Sequence, residues 1–131
     1  MNEHPSVAAA RRGFESFSGG DGAVLVQLFQ PDAVWRVPGT NAMAGEYRGF
    51  DQIVPFLRRT RELTNGTYDV TLLWAVGDDE HLVAVYRARG EREDREPLDI
   101  EQALLVELRD NLWADIRAQP LDQAAFDAFW I

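Results

Sequence analysis

Neither cysteine nor lysine occurs anywhere in the 131 residues. The first absence rules out disulfides, a thiolate nucleophile and a thiolate metal site. The second rules out Schiff-base chemistry by a side-chain amine; all 13 basic residues are arginine. Histidine is scarce as well. His4 and His81 lie far apart, and no H-E-x-x-H or clustered ligand spacing is present, so neither a metal nor an organic cofactor is expected. G-x-S-x-G and a phosphate-binding glycine loop are also missing. No apolar run approaches the roughly 20 residues that span a bilayer. The stretch 1–7 is polar, carries Glu3 and has no basic-then-apolar leader pattern, which points to a cytoplasmic, soluble protein.

What is present is ordinary globular material, 46% hydrophobic and 27% charged, and the length suits one domain over residues 1–131. The formal net charge of -9 repels phosphate backbones and anionic lipid. Nucleic acid and membrane surfaces are therefore not expected as partners, whereas a small-molecule ligand is.

Residue patterning predicts a helix from Val7 to about Ser18, capped by Ser6, with Ala10, Phe14 and Phe17 at helical spacing. Asp21 reads as the cap of a short second helix through Val24, Leu25, Leu28 and Phe29. Pro31-Asp32 reads as a turn, 33–37 as a short strand, and the glycine-rich 39–49 as a loop. Asp51 would cap a third helix from about Gln52 to Leu63. Three long strands follow, from Thr67 to Val76, from His81 to about Arg92 and from Glu96 to Arg109. Asp110-Asn111 forms a hairpin turn into a last strand, Leu112 to Gln119. Asp122 caps a closing helix. Helices kept apart from an antiparallel meander indicate an α+β fold.

This order, together with particular residues, resembles the SnoaL-like domains of the nuclear transport factor two-like superfamily. The resemblance rests on Gly20-Asp21, on the run from Leu28 through Pro31-Asp32 to Trp35, and on Gly45-Glu46-Tyr47-Arg48-Gly49 followed by Asp51, Ile53 and Phe56. Asp110-Asn111-Leu112 and the ending Asp122 to Trp130 complete it. It implies a conical barrel, a strongly curved and mainly antiparallel sheet whose helices close one pocket, and a homodimer formed through the outer sheet face. Relatives include ketosteroid isomerases, polyketide cyclases, epoxide hydrolases and binding proteins, so function has to be read from pocket residues.

Position by position, the catalytic sets of two of these groups are broken. Where the isomerases carry a tyrosine, a carboxylate base and a protonated aspartate, this chain has Gly13, Val37 and Gln102 or Leu104. Where the epoxide hydrolases pair an arginine with two aspartates, it has Arg87, Arg89 and Arg117. Strand alternation puts Trp35 with Val37, Val83 with Val85, Arg87 and Arg89, and Gln102 with Leu104 and Val106. It likewise groups Trp113 with Asp115 and Arg117, and the resemblance implies that these four sets face the cavity. Leu112, Ala114, Ile116 and Ala118 would then meet a second subunit.

Asp115 is thus the candidate base, oriented by Arg87 or Arg117, or else the three make a structural ion pair. Candidate ligand contacts are Phe17, Trp35, Val37, Tyr47, Phe56, Val85, Gln102 and Trp113. Gly13 either opens space or permits close helix packing. Two readings stay open. One is an enzyme carrying out cyclisation, isomerisation, hydration or dehydration on a small hydrophobic or polyketide-like substrate. The other is a non-catalytic binder of a small, anionic ligand.

Overall fold

A computed structural model describes residues 3–19 and 22–131. Helix α1 spans Pro5–Ser18. Its start lies earlier than expected because His4, not Ser6, is the cap: the His4 ring nitrogen accepts the Ser6 N–H at 3.1 Å and Pro5 opens the first turn. Val7, Ala10, Phe14 and Phe17 form its buried stripe. A Cβ on Gly13 would sit 2.9 Å from a Leu28 methyl and 3.2 Å from one of Leu25, so this glycine serves close packing against α2.

Helix α2 is only Ala23–Val26, and the expected cap Asp21 lies outside the described residues. Phe29 belongs to strand β1, Phe29–Val37, which runs through Pro31-Asp32 where a turn was expected. Within the expected loop 39–49 lies a short edge strand, β2, Gly45–Arg48. Helix α3, Phe50–Leu63, starts from Gly49 at φ 71°, and Asp51 sits in its first turn instead of capping it.

Strands β3 (Asp69–Gly77), β4 (His81–Gly90), β5 (Leu98–Arg109) and β6 (Leu112–Pro120) form the expected antiparallel meander. Asp110 and Asn111 both take positive φ at the last hairpin, the geometry a tight two-residue turn demands. Asp122 caps α4, Gln123–Trp130, accepting the Ala125 N–H at 3.0 Å.

The six strands lie in the order β2-β1-β6-β5-β4-β3, with β1 parallel to β6 and every other pair antiparallel. The sheet is curved and does not close on itself, since β2 and β3 are its edges. Bulges in β3 and β6 add to its curvature. On the concave side α1 packs over β3 and β4, α3 over β1 and β2, and α4 over β5 and β6. Between them Phe14, Phe29, Trp35, Phe56, Tyr86, Trp113 and Trp130 fill one continuous core.

Candidate functional site

The bulge in β6 decides which residues reach the interior. Glu107 pairs with Asp115 and Leu108 with Trp113, so Ala114 is the extra residue and the alternation changes face there. Trp113 points inward, 1% exposed, as expected. Beyond the bulge Ile116, at 0%, and Ala118 take the inner positions. Asp115 and Arg117 therefore lie on the convex face, not in the cavity. Ile116 and Ala118 belong to the core, not to an outer contact surface.

Asp115 meets neither of the arginines expected to orient it. It accepts from Arg36 at 3.1 Å, and Arg36 also reaches Glu46 at 2.5 Å. Those contacts hold the Arg36 guanidinium above its ordinary pKa, the hydrogen bond from Asp115 contributing most.

Strand β4 is also turned the other way from expectation. Leu82, Ala84, Tyr86 and Ala88 face the core, while Val83, Val85, Arg87 and Arg89 face out. Arg87 donates to Asp99 at 2.6 Å, and the arginine holds the Asp99 carboxyl below its ordinary range. Arg87 thus belongs to an exposed cross-strand charge pair, and Val85 is covered on the convex side.

The interior space, about 40 Å³, lies between α1, α3 and the concave sheet face. Phe14, Phe17, Leu25 and Leu57 form its helical wall, and Trp35, Tyr68, Val70, Tyr86 and Leu104 its sheet wall. By the size a buried water needs, this is room for about three water-sized groups. Of the expected ligand contacts, Phe17 and Trp35 line it directly. Gln102 reaches it through Tyr86, its amide donating to the Tyr86 hydroxyl at 2.8 Å.

Val37, Phe56 and Trp113 are core residues away from its wall. Tyr47 stacks on Phe56 at 4.3 Å and donates its hydroxyl to the Met43 carbonyl at 2.7 Å, which makes it a brace for the 39–48 segment.

Two polar atoms in this interior have no partner among the described residues: Trp35 Nε1, a donor, and Gln102 Oε1, an acceptor. Because Gln102 donates to the Tyr86 oxygen, the Tyr86 proton is free to be donated elsewhere. Burial pushes the Tyr68 and Tyr86 hydroxyls well above the ordinary tyrosine pKa. At neutral pH both are uncharged hydrogen-bond donors. The wall contains no carboxylate, arginine or histidine. Chemically it offers an apolar enclosure whose wall includes three residues with an N–H or O–H donor, Trp35, Tyr68 and Tyr86, with the Gln102 amide behind Tyr86.

Tyr68 and Tyr86 were not singled out in the sequence. The alternation Leu82-Ala84-Tyr86-Ala88 is the signal that carries Tyr86, because it places small and apolar partners on one face and two arginines on the other.

A family model described as a SnoaL-like domain matches residues 10–116. An uncharacterized protein of Mycobacterium tuberculosis is 36% identical over 131 residues, covering 99% of each chain. Among solved structures, Bal32a from a soil-derived mobile gene cassette aligns at a TM-score of 0.90 with 31% identity, over 99% of this chain and 100% of its own. A putative SnoaL-like polyketide cyclase from Jannaschia sp. aligns at 0.76 with 14% identity, over 98% and 96%.

Proposed function

Since the chain belongs to the SnoaL-like family, we propose that it is a small-molecule pocket protein whose ligand is a compact, uncharged ring bearing a carbonyl or hydroxyl. The observation that carries this reading is that Trp35 Nε1 and Gln102 Oε1 are buried without a partner among the described residues, Trp35 and the Gln102-bonded Tyr86 both lining an otherwise apolar enclosure. Stranding a buried polar group costs roughly 1–3 kcal/mol, so a ligand oxygen that accepts from Trp35 or Tyr86 recovers free energy that the protein alone forgoes. At about 40 Å³ the space as it stands is smaller than a six-membered ring, so a single ring enters only as the Phe17 and Leu57 side chains turn outward. A fused polyketide system exceeds it while the wall formed by Phe17 and Leu57 stands.

The enzymatic form of the reading uses the same donors. They would stabilise a carbonyl oxygen gaining negative charge, as isomerisation, cyclisation, hydration or dehydration requires. Such chemistry also needs a group to take the proton, and the wall has none with a suitable pKa. Asp115, Arg87 and Arg117 lie on the opposite face of the sheet. Binding without turnover is the form we favour.

The reading includes a homodimer through the convex face. Trp74, Val76 and Leu105 are 51%, 58% and 40% exposed there and are joined in register through Val83 and Val85. A patch of this kind, bordered by the Arg87–Asp99 pair, suits a self-complementary two-fold contact. Sedimentation should give twice the chain mass, and Leu105→Arg should give the monomer; a wild-type monomer at high concentration defeats this part.

Calorimetry with cyclohexanone and its hydrocarbon analogue methylenecyclohexane tests the pocket. The ketone should bind more tightly, and Trp35→Phe and Tyr86→Phe should lower its affinity about five- to tenfold while sparing the hydrocarbon. Equal binding of the two probes by the wild type would refute the polar part of the reading.

A further inference from the structure

The helical wall of the interior space has a second side. Outside it, between α2 and α3, lies a groove of about 480 Å³, within the usual range for small-ligand sites. Phe17 and Leu57 front both spaces, so these two side chains are the partition between them. Val26 and Val54 extend the apolar floor, and Arg58 and Arg61 stand on its rim. On α3, positions 54, 57, 58 and 61 follow the i, i+3, i+4, i+7 spacing of one helix face, which aims both cations at the same apolar strip.

The two arginines differ. Arg61 is committed: its guanidinium donates to the Phe17 carbonyl oxygen and lies 4.9 Å from the centre of the Phe17 ring. Arg58 is exposed and has no acidic partner within 4.0 Å among the described residues. Arg36, Arg87 and Arg109 each pair with a carboxylate, whereas Arg58, like Arg12, Arg59 and Arg117, has no such pairing among the described residues, and of these four it is the one that lines the groove. An uncompensated cation at the lip of an apolar groove is complementary to a molecule with one negative end and a flat apolar body.

We propose that this groove is a second ligand site, for a small aromatic carboxylate. Its ring lies on Val26, Val54 and Leu57, and its carboxylate accepts from the Arg58 guanidinium, with Arg61 adding charge while it holds Phe17 in place. The site does not depend on the interior space being occupied, because its floor is the outer side of the Phe17–Leu57 partition.

The probes are 2-naphthoate and its uncharged isostere 2-naphthamide, titrated into the full chain and followed by amide chemical shifts. Naphthoate should shift resonances of α2, α3 and the end of α1. It should bind roughly fivefold more tightly than the amide, the scale of one half-exposed charge contact, with the difference shrinking as salt rises. Arg58→Gln should bring naphthoate down to the affinity of naphthamide and leave naphthamide unchanged. Val54→Trp, which fills the groove, should weaken both probes. Equal affinities of acid and amide, an Arg58→Gln protein that keeps the preference, or shifts confined to the convex sheet face would each overturn the proposal. None of these results bears on cyclohexanone binding inside, so the two sites fail separately.

Discussion

Substituting the Tyr86–Gln102 pair separates a polar contact kept for the fold from one kept for a ligand. In the wild type Gln102 Nε2 donates to the Tyr86 hydroxyl at 2.8 Å, and Gln102 Oε1 has no partner among the described residues. Tyr86→Phe deletes the acceptor and leaves the whole buried amide unsatisfied, a cost of about 1–3 kcal/mol. Gln102→Leu strands the Tyr86 hydroxyl but also removes the orphaned carbonyl, so its net effect should be within about 1 kcal/mol of zero.

Replacing both partners with apolar groups is often neutral or stabilising. The double variant should therefore match or exceed the wild type, recovering about 1–2 kcal/mol relative to the sum of the single changes. Urea unfolding of the four proteins measures this, with the slope checked for constancy. The two variants that lack the Tyr86 hydroxyl should lose preference for the ketone probe, whereas Gln102→Leu should keep it. A double variant less stable than Tyr86→Phe alone would refute the reasoning, because the pair would then be supporting the fold.

The bulge in β6 predicts opposite outcomes at adjacent positions: Ile116→Ala should cost about 3 kcal/mol in urea unfolding, a typical value for a large-to-small change in a packed core, whereas Asp115→Ala should leave the midpoint near wild type and ketone binding intact. Gly39 has φ 105°, and a Cβ there would lie 2.1 Å from an Asp127 carboxylate oxygen; Gly39→Ala should cost about 2–3 kcal/mol through backbone strain and displacement of that carboxylate, read as a lower thermal midpoint. The Asp127 carboxylate accepts from Asn41, Gln123 and the Thr40 N–H, and chiefly the Asn41 contact lowers its pKa below the ordinary 3.8. A lowered folded pKa means stability that is present above the ordinary value and lost as pH falls through the folded one, so Asp127→Asn should destabilise at pH 7 and flatten the loss below about pH 4; an unchanged acid limb would contradict this.

The fold was legible where local chemistry and pattern agreed. The Asp110-Asn111 turn, the Asp122 cap and the Ala10-Phe14-Phe17 stripe each fix an element in its neighbourhood, and the structure has all three. β2 was hidden because Gly45–Arg48 is an edge strand with no buried alternation; only its pairing with β1 makes it a strand. The site was harder for one reason. A single residue of bulge reverses every side chain beyond it, and Leu112 to Ala118 is apolar enough on both faces to hide the reversal.

On β4 the likeness to the epoxide hydrolases favoured Arg87 inside. The opposed pairs Arg87 with Glu101 and Arg89 with Asp99 mark that face as the solvated one. Those pairs are visible only once the register of β4 against β5 is known. Phe17 was found because α1 is regular, and Trp35 because the register shift of β1 against β6 falls between Phe29 and Val34, ahead of it.

The account turns on Trp35 Nε1 being a buried donor available to a ligand oxygen. Its indole N–H resonance, assigned by its loss in Trp35→Phe, can be followed as cyclohexanone is added. The Trp35 signal should move downfield and saturate, while that of exposed Trp74 stays still. A Trp35 resonance unmoved by the ketone, or one moving in step with Trp74, would contradict the claim that this interior is the binding site.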